Sequence, residues 1–207
     1  MTIKAVIFDI GNVLIEWHPE RFYDSVIGQD RRRALFAAVD LSGMNRRVDL
    51  GAPFRETVYE TAAAHPEFSA EIRMWFDGWI KMASPEIPHS AKLLRALRKK
   101  DVPVFALSNF GVQSFEYAAT VYPVFSEFDR RYISGYLEMM KPDPSIYQVV
   151  EDDCGLAPSG LLFTDDRRDN IEAAQTRGWH THLFEGPEGL AKRLVGEGLL
   201  NAKEAAA

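Results

Sequence analysis

Four groups of polar residues follow, or lie just beyond, short apolar stretches of this sequence. They are Asp9 after AVIF, Ser108 and Asn109 after VFAL, Lys141 within MMKPDP, and Asp165 and Asp166 after LLFT. Ligands of open parallel sheets bind outside the carboxyl ends of the strands, so we expect these side chains to meet in one crevice. Each residue alone could simply cap a helix or face solvent. Together, a carboxylate, a hydroxyl, an ammonium group and an acid pair predict phosphoryl transfer.

The charges explain why such chemistry needs all of these groups. An aspartate that attacks a phosphate dianion brings one negative charge toward two, and at ~4 Å and an effective dielectric of ~20 each charge pair costs ~4 kcal/mol. Mg²⁺ commonly binds one or two carboxylates plus a substrate phosphate, which gives Asp9 and Asp166 a function. Lys141 adds positive charge, and Ser108 can donate to a phosphate oxygen. We therefore expect Asp9 to form an aspartyl-phosphate that water hydrolyses.

The elements that must position these residues alternate along the chain. The segments KAVIFDI, VPVFALSN, LLFTDD and THLF are typical of buried strands. The segments SAKLLRALRKK, PSIYQVVEDDCG and DNIEAAQTRG are typical of helices, and they end at lysines or at a glycine. This alternation predicts an α/β fold with a mostly parallel sheet that is covered on both faces.

One long segment interrupts the alternation. From about Glu16 to Ser84 only helical patterns occur, and SPEIPHS then returns the chain to strands and helices. We expect a helical cap domain at residues 16–85, inserted into a core of residues 1–15 and 86–207.

Four large or charged side chains of this insertion are candidates for substrate contact. Trp75 and Trp79 are spaced i, i+4 within AEIRMWFDGWIKMA, which predicts one helix with both rings on the same face. We expect them to pack rather than to form a substrate cage. Arg46 and Arg47 are expected in a loop between cap helices, where solvent exposure is favoured over contact with an anionic substrate.

Composition narrows the class of protein. The 207 residues are 46% hydrophobic and 26% charged, as in an ordinary globular protein. The net charge of −6 argues against nucleic acid or an anionic membrane as the main partner. No apolar run approaches the ~18 residues of a membrane span, and no signal-peptide pattern is present. The single Cys154 cannot form an internal disulfide. We expect a cytoplasmic protein, monomeric or homodimeric, that binds neither nucleic acid nor membrane.

Four ordered motifs resemble those of a known family. FDIGNVL, LSN, KPDPSIY and FTDDRRDNIEAA are similar to the motifs of the haloacid dehalogenase (HAD) superfamily, and GNVLIEWHP resembles a bacterial branch that includes sugar-phosphate phosphatases. The resemblance extends from Ala5 to about Phe184. It implies a Rossmann-like core, a helical cap after the first motif, and Mg²⁺-dependent hydrolysis of a small phosphorylated metabolite such as a sugar phosphate.

The resemblance also implies a role for each motif residue. These roles are Asp9 as nucleophile and metal ligand, Ser108 and Asn109 as phosphate ligands, Lys141 as the cation that stabilises the charged intermediate, Asp166 as metal ligand with Asp165 beside it, Asn170 as a support, and Gly11 as a metal ligand through its backbone carbonyl.

Gly11 departs from the family pattern. Phosphatases of this family usually have a second aspartate there, which protonates the leaving group and later activates water. General acid–base catalysis is worth ~10²–10⁴-fold. The leaving group could need little protonation, another residue such as Glu16 or His18 could substitute, or the protein could bind without turnover. The EWHPE segment favours His18 and Pro19 as the start of a helix.

Two other functions remain open from the sequence. In a true 2-haloacid dehalogenase, Asp9 would attack carbon and displace halide. That reaction has no dianion to neutralise, so the pair Asp165 and Asp166 disfavours it. The second is a non-enzyme, either a phospho-accepting receiver module or a silent phospho-ligand-binding protein. Receiver modules have their acid pair first in the chain and lack a cap, whereas Gly11 is compatible with silent binding.

Overall fold

One five-stranded parallel sheet forms the centre of the molecule in the computed structural model, which describes residues 2–206. Its order is β3-β2-β1-β4-β5. The strands are β1 (Ala5–Phe8), β2 (Val104–Ser108), β3 (Arg130–Ile133), β4 (Leu161–Asp165) and β5 (His180–Leu183). Ile7 of β1 pairs with Phe105 and Phe163 of its two neighbours. The predicted α/β class with a parallel sheet is therefore confirmed.

Helices cover both faces of this sheet. Between β1 and β2 lie α1 (Pro19–Ile27), α2 (Gln29–Ala38), α3 (Leu41–Asp49), α4 (Phe54–Ala64), α5 (Ser69–Asp77), α6 (Trp79–Met82) and α7 (Pro88–Arg98). The later helices are α8 (Val112–Val121), α9 (Ser134–Leu137), α10 (Pro144–Cys154), α11 (Arg168–Thr176) and α12 (Pro187–Gly196). We refer to α1–α6 as the inserted helices.

Alternate side chains of β1 pack into two different hydrophobic clusters. Val6 and Phe8 belong to the cluster that extends into the inserted helices, whereas Ala5 and Ile7 pack with residues of α10 and α11. This period of two follows from strand geometry. Burial on both faces explains why β1 is a continuous apolar run in the sequence.

Two chain segments join the inserted helices to the sheet, and they are hydrogen-bonded to each other. The N–H of Glu16 donates to the carbonyl of Pro85, and the N–H of Ile87 donates to the carbonyl of Leu14. Ile15 and Glu86 form an antiparallel bridge between these two bonds. We refer to residues 14–16 and 85–87 as the connecting ribbon.

The predicted helix around Trp75 and Trp79 is divided in the structure. Helix α5 ends at Asp77 and α6 begins at Trp79, so the two tryptophans do not share one continuous helix. A Cβ atom on Gly78 would lie 2.4 Å from the Phe22 ring, which shows how closely α1 approaches this junction. Trp75 and Trp79 are both buried, and each ring centroid lies 6.0 Å from that of Trp17. The expected packing of both rings is therefore confirmed.

The loop predicted for Arg46 and Arg47 is wrong, because both residues lie in α3. Leu41, Met44 and Val48 give this helix a buried face at helical spacing, and its polar composition obscured that pattern.

Strand β3 was not expected from the sequence. It has only four residues, RRYI, and its two arginines are exposed at the edge of the sheet.

Among residues 2–206, the longest apolar helical stretches fall short of what crossing a membrane requires.

Candidate active site

The carboxyl ends of the three central strands bring the first predicted residues together. Asp9 directly follows β1, Ser108 ends β2 and Asp165 ends β4. All three are buried, and the Ser108 hydroxyl donates to Asp9 Oδ1 at 2.7 Å. The sheet therefore produces the convergence that the sequence predicts.

Lys141 lies between two of these carboxylates. Its Nζ is 2.9 Å from Asp9 Oδ1 and 2.5 Å from Asp165 Oδ2, and the residue is 3% exposed. Burial alone would lower the pKa of Lys141, but Asp165 and Asp9 outweigh burial and hold that pKa above its ordinary value. Lys141 is thus a fixed positive charge beside the expected nucleophile.

Asp165 is occupied in holding this lysine. Besides Lys141, it accepts from the Asn170 amide, which is 3.0 Å from both carboxylate oxygens, and from the Arg167 N–H at 2.8 Å. The Tyr147 hydroxyl in turn donates to the Asn170 carbonyl at 3.0 Å. The geometry is thus consistent with supporting roles for Asp165 and Asn170.

Asn109 is bonded to the backbone of Lys141 in both directions. Its amide donates to the Lys141 carbonyl at 2.9 Å, and its Oδ1 accepts from the Lys141 N–H at 2.8 Å. The side chain therefore joins the lysine segment to the end of β2. Phosphate contact by Asn109 stays a prediction.

Three carboxylates form a cluster that fits a divalent cation. Asp9, Asp165 and Asp166 each offer an oxygen, and these atoms lie within 4.8 Å of one another. When all are ionised, three negative charges face the one positive charge of Lys141, which leaves two negative charges. Burial raises the pKa of Asp9 to about 6 although Lys141 acts in the opposite direction. Because Asp165 is already fully bonded, Asp9 and Asp166 are the members with oxygens left for a metal.

Gly11 lies in the wall of the same cavity, and nothing about its position requires glycine. Its φ is outside the left-handed region. A Cβ atom there would come no closer than 4.0 Å, to Cβ of Trp17. The backbone and the space at position 11 therefore accept a Cβ atom.

Asn12 is a site residue that the sequence analysis missed. Its backbone is left-handed with φ 55°, a conformation that asparagine tolerates better than most residues. Its amide donates to Asp166 Oδ2 at 2.9 Å, and its Oδ1 accepts from the Trp17 N–H at 2.9 Å. Asn12 thus orients the expected metal ligand, and an asparagine after a glycine at a strand end was the available signal.

A cavity of about 1140 Å³ opens between these residues and the inserted helices. Five aromatic residues line this cavity, and we refer to them as the aromatic wall; they are Trp17, Phe36, Trp75, Trp79 and Phe110. The wall is continuous, because neighbouring ring centroids lie 5.4–6.4 Å apart. The two tryptophans therefore both pack and face the cavity.

Glu16 and His18 are the residues that could substitute for a carboxyl group at position 11. Among the described residues, the cavity lining includes neither Glu16 nor His18. His18 precedes the first turn of α1, as the sequence favours, and Glu16 forms an ion pair with Arg21.

Asp49, at the end of α3, is another residue of the cavity wall that the sequence analysis did not single out, and it is titratable. Its Oδ2 accepts from the Asn45 amide at 2.9 Å, and Asn45 Oδ1 accepts from the Trp75 indole at 3.0 Å. Burial raises the pKa of Asp49 to about 7, while the Gly111 backbone and Asn45 act in the opposite direction. No local sequence pattern signals the raised pKa of Asp49, because elements distant in the sequence bury its carboxyl group.

This pKa predicts a pH-dependent effect of Asp49→Asn on stability. An unfolded aspartate has a pKa of about 3.9, so the folded state of the wild type loses stability as pH rises from there through about 7. Asparagine cannot ionise, so the variant should gain stability relative to the wild type across this window. We expect urea unfolding at pH 4.5 and pH 8 to show the larger relative gain at pH 8. Asp77→Asn, at an exposed position, is the control, and an equal difference at both pH values would contradict the prediction.

Comparison with known proteins agrees with this geometry. The family model of the haloacid dehalogenase-like hydrolases matches residues 3–178. The chain is 26% identical over 178 residues to the sesquiterpene phosphatase astK of Aspergillus oryzae, covering 86% of this chain and 87% of that protein.

Two solved structures have the same fold. The HAD family enzyme bt-2542 of Bacteroides thetaiotaomicron, in complex with magnesium and inorganic phosphate, is 26% identical with a TM-score of 0.68, over 87% of this chain and 93% of the other. The L-2-haloacid dehalogenase of Xanthobacter autotrophicus is 20% identical with a TM-score of 0.61, over 99% and 87%. This protein therefore belongs to the haloacid dehalogenase-like hydrolase family.

Proposed function

We propose that this hydrolase is a magnesium-dependent phosphatase that cleaves a small phosphorylated metabolite through an aspartyl-phosphate on Asp9. The observation that carries the proposal is the buried set of Asp9, Ser108 and Lys141 next to an acid pair. Ser108 and Lys141 both bond to Oδ1 of Asp9 and hold the carboxylate in one orientation. As an Asp9 oxygen bonds to phosphorus, the ester P–O bond breaks, and the leaving oxygen takes up a proton and departs as the alcohol. Water then attacks phosphorus, releases inorganic phosphate and restores the carboxylate.

Magnesium fits the donor set. Asp9, Asp166 and the carbonyl of Gly11 would hold the ion, which supplies the positive charge that a phosphate dianion needs beside three carboxylates. The similarity to bt-2542, whose structure contains magnesium and phosphate, supports this assignment.

The alcohol part of the substrate would contact the cap domain, which we propose comprises residues 16–85. Aromatic rings suit both the C–H faces of a sugar and a wholly apolar group. Sugar phosphates therefore remain our first candidates, and the similarity to a sesquiterpene phosphatase adds sesquiterpene phosphates. We further propose that the protein works in the cytoplasm as a monomer or homodimer.

A 2-haloacid dehalogenase is the second candidate, because such an enzyme shares the fold. The acid cluster disfavours it. A metal-free attack on carbon would leave Asp9, Asp165 and Asp166 with two uncompensated negative charges.

A screen of phosphorylated metabolites with and without EDTA tests the proposal. We expect release of inorganic phosphate from at least one ester and loss of that activity in EDTA. Asp166→Ala should raise the Mg²⁺ concentration for half-maximal activity at least about tenfold. Halide release from 2-chloropropionate that survives EDTA would instead establish the dehalogenase.

A further inference from the structure

The cavity contains one carboxyl group whose properties the proposed function has not used. Five acids line the cavity outside the metal cluster, and four of them are exposed; these four are Glu20, Asp40, Glu138 and Asp143. Glu20 is paired with Arg32, Asp40 caps α3 and Asp143 caps α10. Asp49 differs because it is only partly exposed, has no ion-pair partner among the described residues and belongs to the wall near the phosphate-binding turn.

We propose that Asp49 is the general acid for the leaving oxygen, in place of the side chain that position 11 lacks. The inference rests on the proposed phosphatase function and adds a catalytic residue to it. Of the three explanations for the absent carboxyl group at Gly11, the proposal selects substitution by another residue of the chain, which then provides the proton.

Two connections fix Asp49 relative to the phosphate site. Its backbone carbonyl accepts from the Ser134 hydroxyl at 2.6 Å, and that hydroxyl accepts from the Phe110 N–H at 2.8 Å. Phe110 follows directly on Ser108 and Asn109, so the end of α3 is joined to the turn that binds phosphate. The side chain is held from the other direction by Asn45, which Trp75 positions. Asp49 lines the same cavity as Asp9 and the aromatic wall, so a leaving group bound in this cavity lies in the space that Asp49 lines.

The protonation state of Asp49 suits the role. Burial raises its pKa to about 7, so the carboxyl group is partly protonated at neutral pH, where an acid catalyst is most effective. As the P–O bond breaks, the Asp49 proton passes to the leaving oxygen, and a neutral alcohol departs. The Asp49 carboxylate then accepts a proton from the water that attacks the aspartyl-phosphate, which returns both residues to their starting forms.

Two esters of nearly the same shape separate this role from substrate binding. Phenol is a much weaker acid than 4-nitrophenol, so phenyl phosphate needs a proton on its leaving oxygen and 4-nitrophenyl phosphate needs little. We expect Asp49→Asn to lower kcat/KM for phenyl phosphate about 10²-fold and for 4-nitrophenyl phosphate by less than about threefold. Asp77→Asn, an exposed change of the same kind on α5, should leave both values unchanged.

A second variant tests whether the lost group is a proton donor. In the Asp49→Asn background, Gly11→Asp places a carboxyl group where the family usually has one, and the backbone and the space there accept a side chain. We expect it to recover at least about tenfold of the lost phenyl phosphate activity. Circular dichroism and urea unfolding of each variant establish that the fold is intact.

Equal losses for both esters, or a change confined to KM, would show that Asp49 only positions the substrate and would overturn the proposal. No loss for phenyl phosphate would overturn it as well. If the wild type cleaved neither ester nor any phosphate of the screen, the phosphatase function itself would be wrong, and the role of Asp49 would be rejected with it.

Discussion

Asp9→Asn is expected to lower kcat for the proposed phosphate-ester hydrolysis by more than about 10⁴-fold, as loss of a covalent nucleophile does in other hydrolases. The amide has nearly the shape of the carboxylate and can still accept from Ser108 and Lys141, so the buried contacts persist. Its oxygen is too weak a nucleophile to attack phosphorus. Release of inorganic phosphate from the best ester of the screen, at saturating Mg²⁺, measures the effect.

The control for this prediction is Asp77→Asn, which removes an exposed carboxylate outside the cavity lining and should keep wild-type turnover. Circular dichroism should show the same fold in both variants. If Asp9→Asn retained more than about a tenth of the wild-type kcat, Asp9 would not be the covalent nucleophile.

Lys141→Met is expected to lower the free energy of unfolding by about 3–5 kcal/mol at pH 7, the usual cost of removing one partner from a buried ion pair. Methionine fills much of the same space, but it leaves Asp9 and Asp165 buried without their shared cation. At pH 5 the loss should be smaller, because a carboxyl group without a cation nearby takes up a proton more readily. Urea unfolding at the two pH values measures both effects.

Lys81→Met is the matched control, since Lys81 is exposed on α6 and its loss should change stability by less than about 0.5 kcal/mol. A loss below about 1 kcal/mol for Lys141→Met would mean that the two carboxylates do not depend on the lysine. Turnover should also fall, because the charged intermediate on Asp9 would lose its neighbouring ammonium group.

The part of the site that the sequence predicted is the part built at strand ends. Asp9, Ser108 and Asp165 each end an apolar run, and parallel strands bring such ends together whatever the details of packing. Lys141 ends no strand, and the sequence placed it in the site through its charge and its motif. The sheet could be predicted because its three central strands are buried on both faces, whereas the exposed arginines of β3 concealed an edge strand.

The part of the cavity that the inserted helices form could not be predicted in the same way. Burial raises the pKa of Asp49, and the contacts that act against burial come from Asn45 on its own helix and from Gly111 beyond β2. Its environment is thus assembled from elements distant in the sequence. Asn12 links two parts of the site through a left-handed backbone, and no pattern of hydrophobic residues reports on that conformation.

The connecting ribbon limits how the cavity can admit a substrate. Because Glu16 and Ile87 are hydrogen-bonded across to the opposite segment, neither connection can bend without the other. The inserted helices would therefore swing about a single hinge axis rather than twist on two independent tethers. Such a swing would also have to break the bond from Ser134 to the carbonyl of Asp49. While the Ser134 hydroxyl keeps that bond, Asp49, the proton donor that we propose, stays joined to the turn after β2.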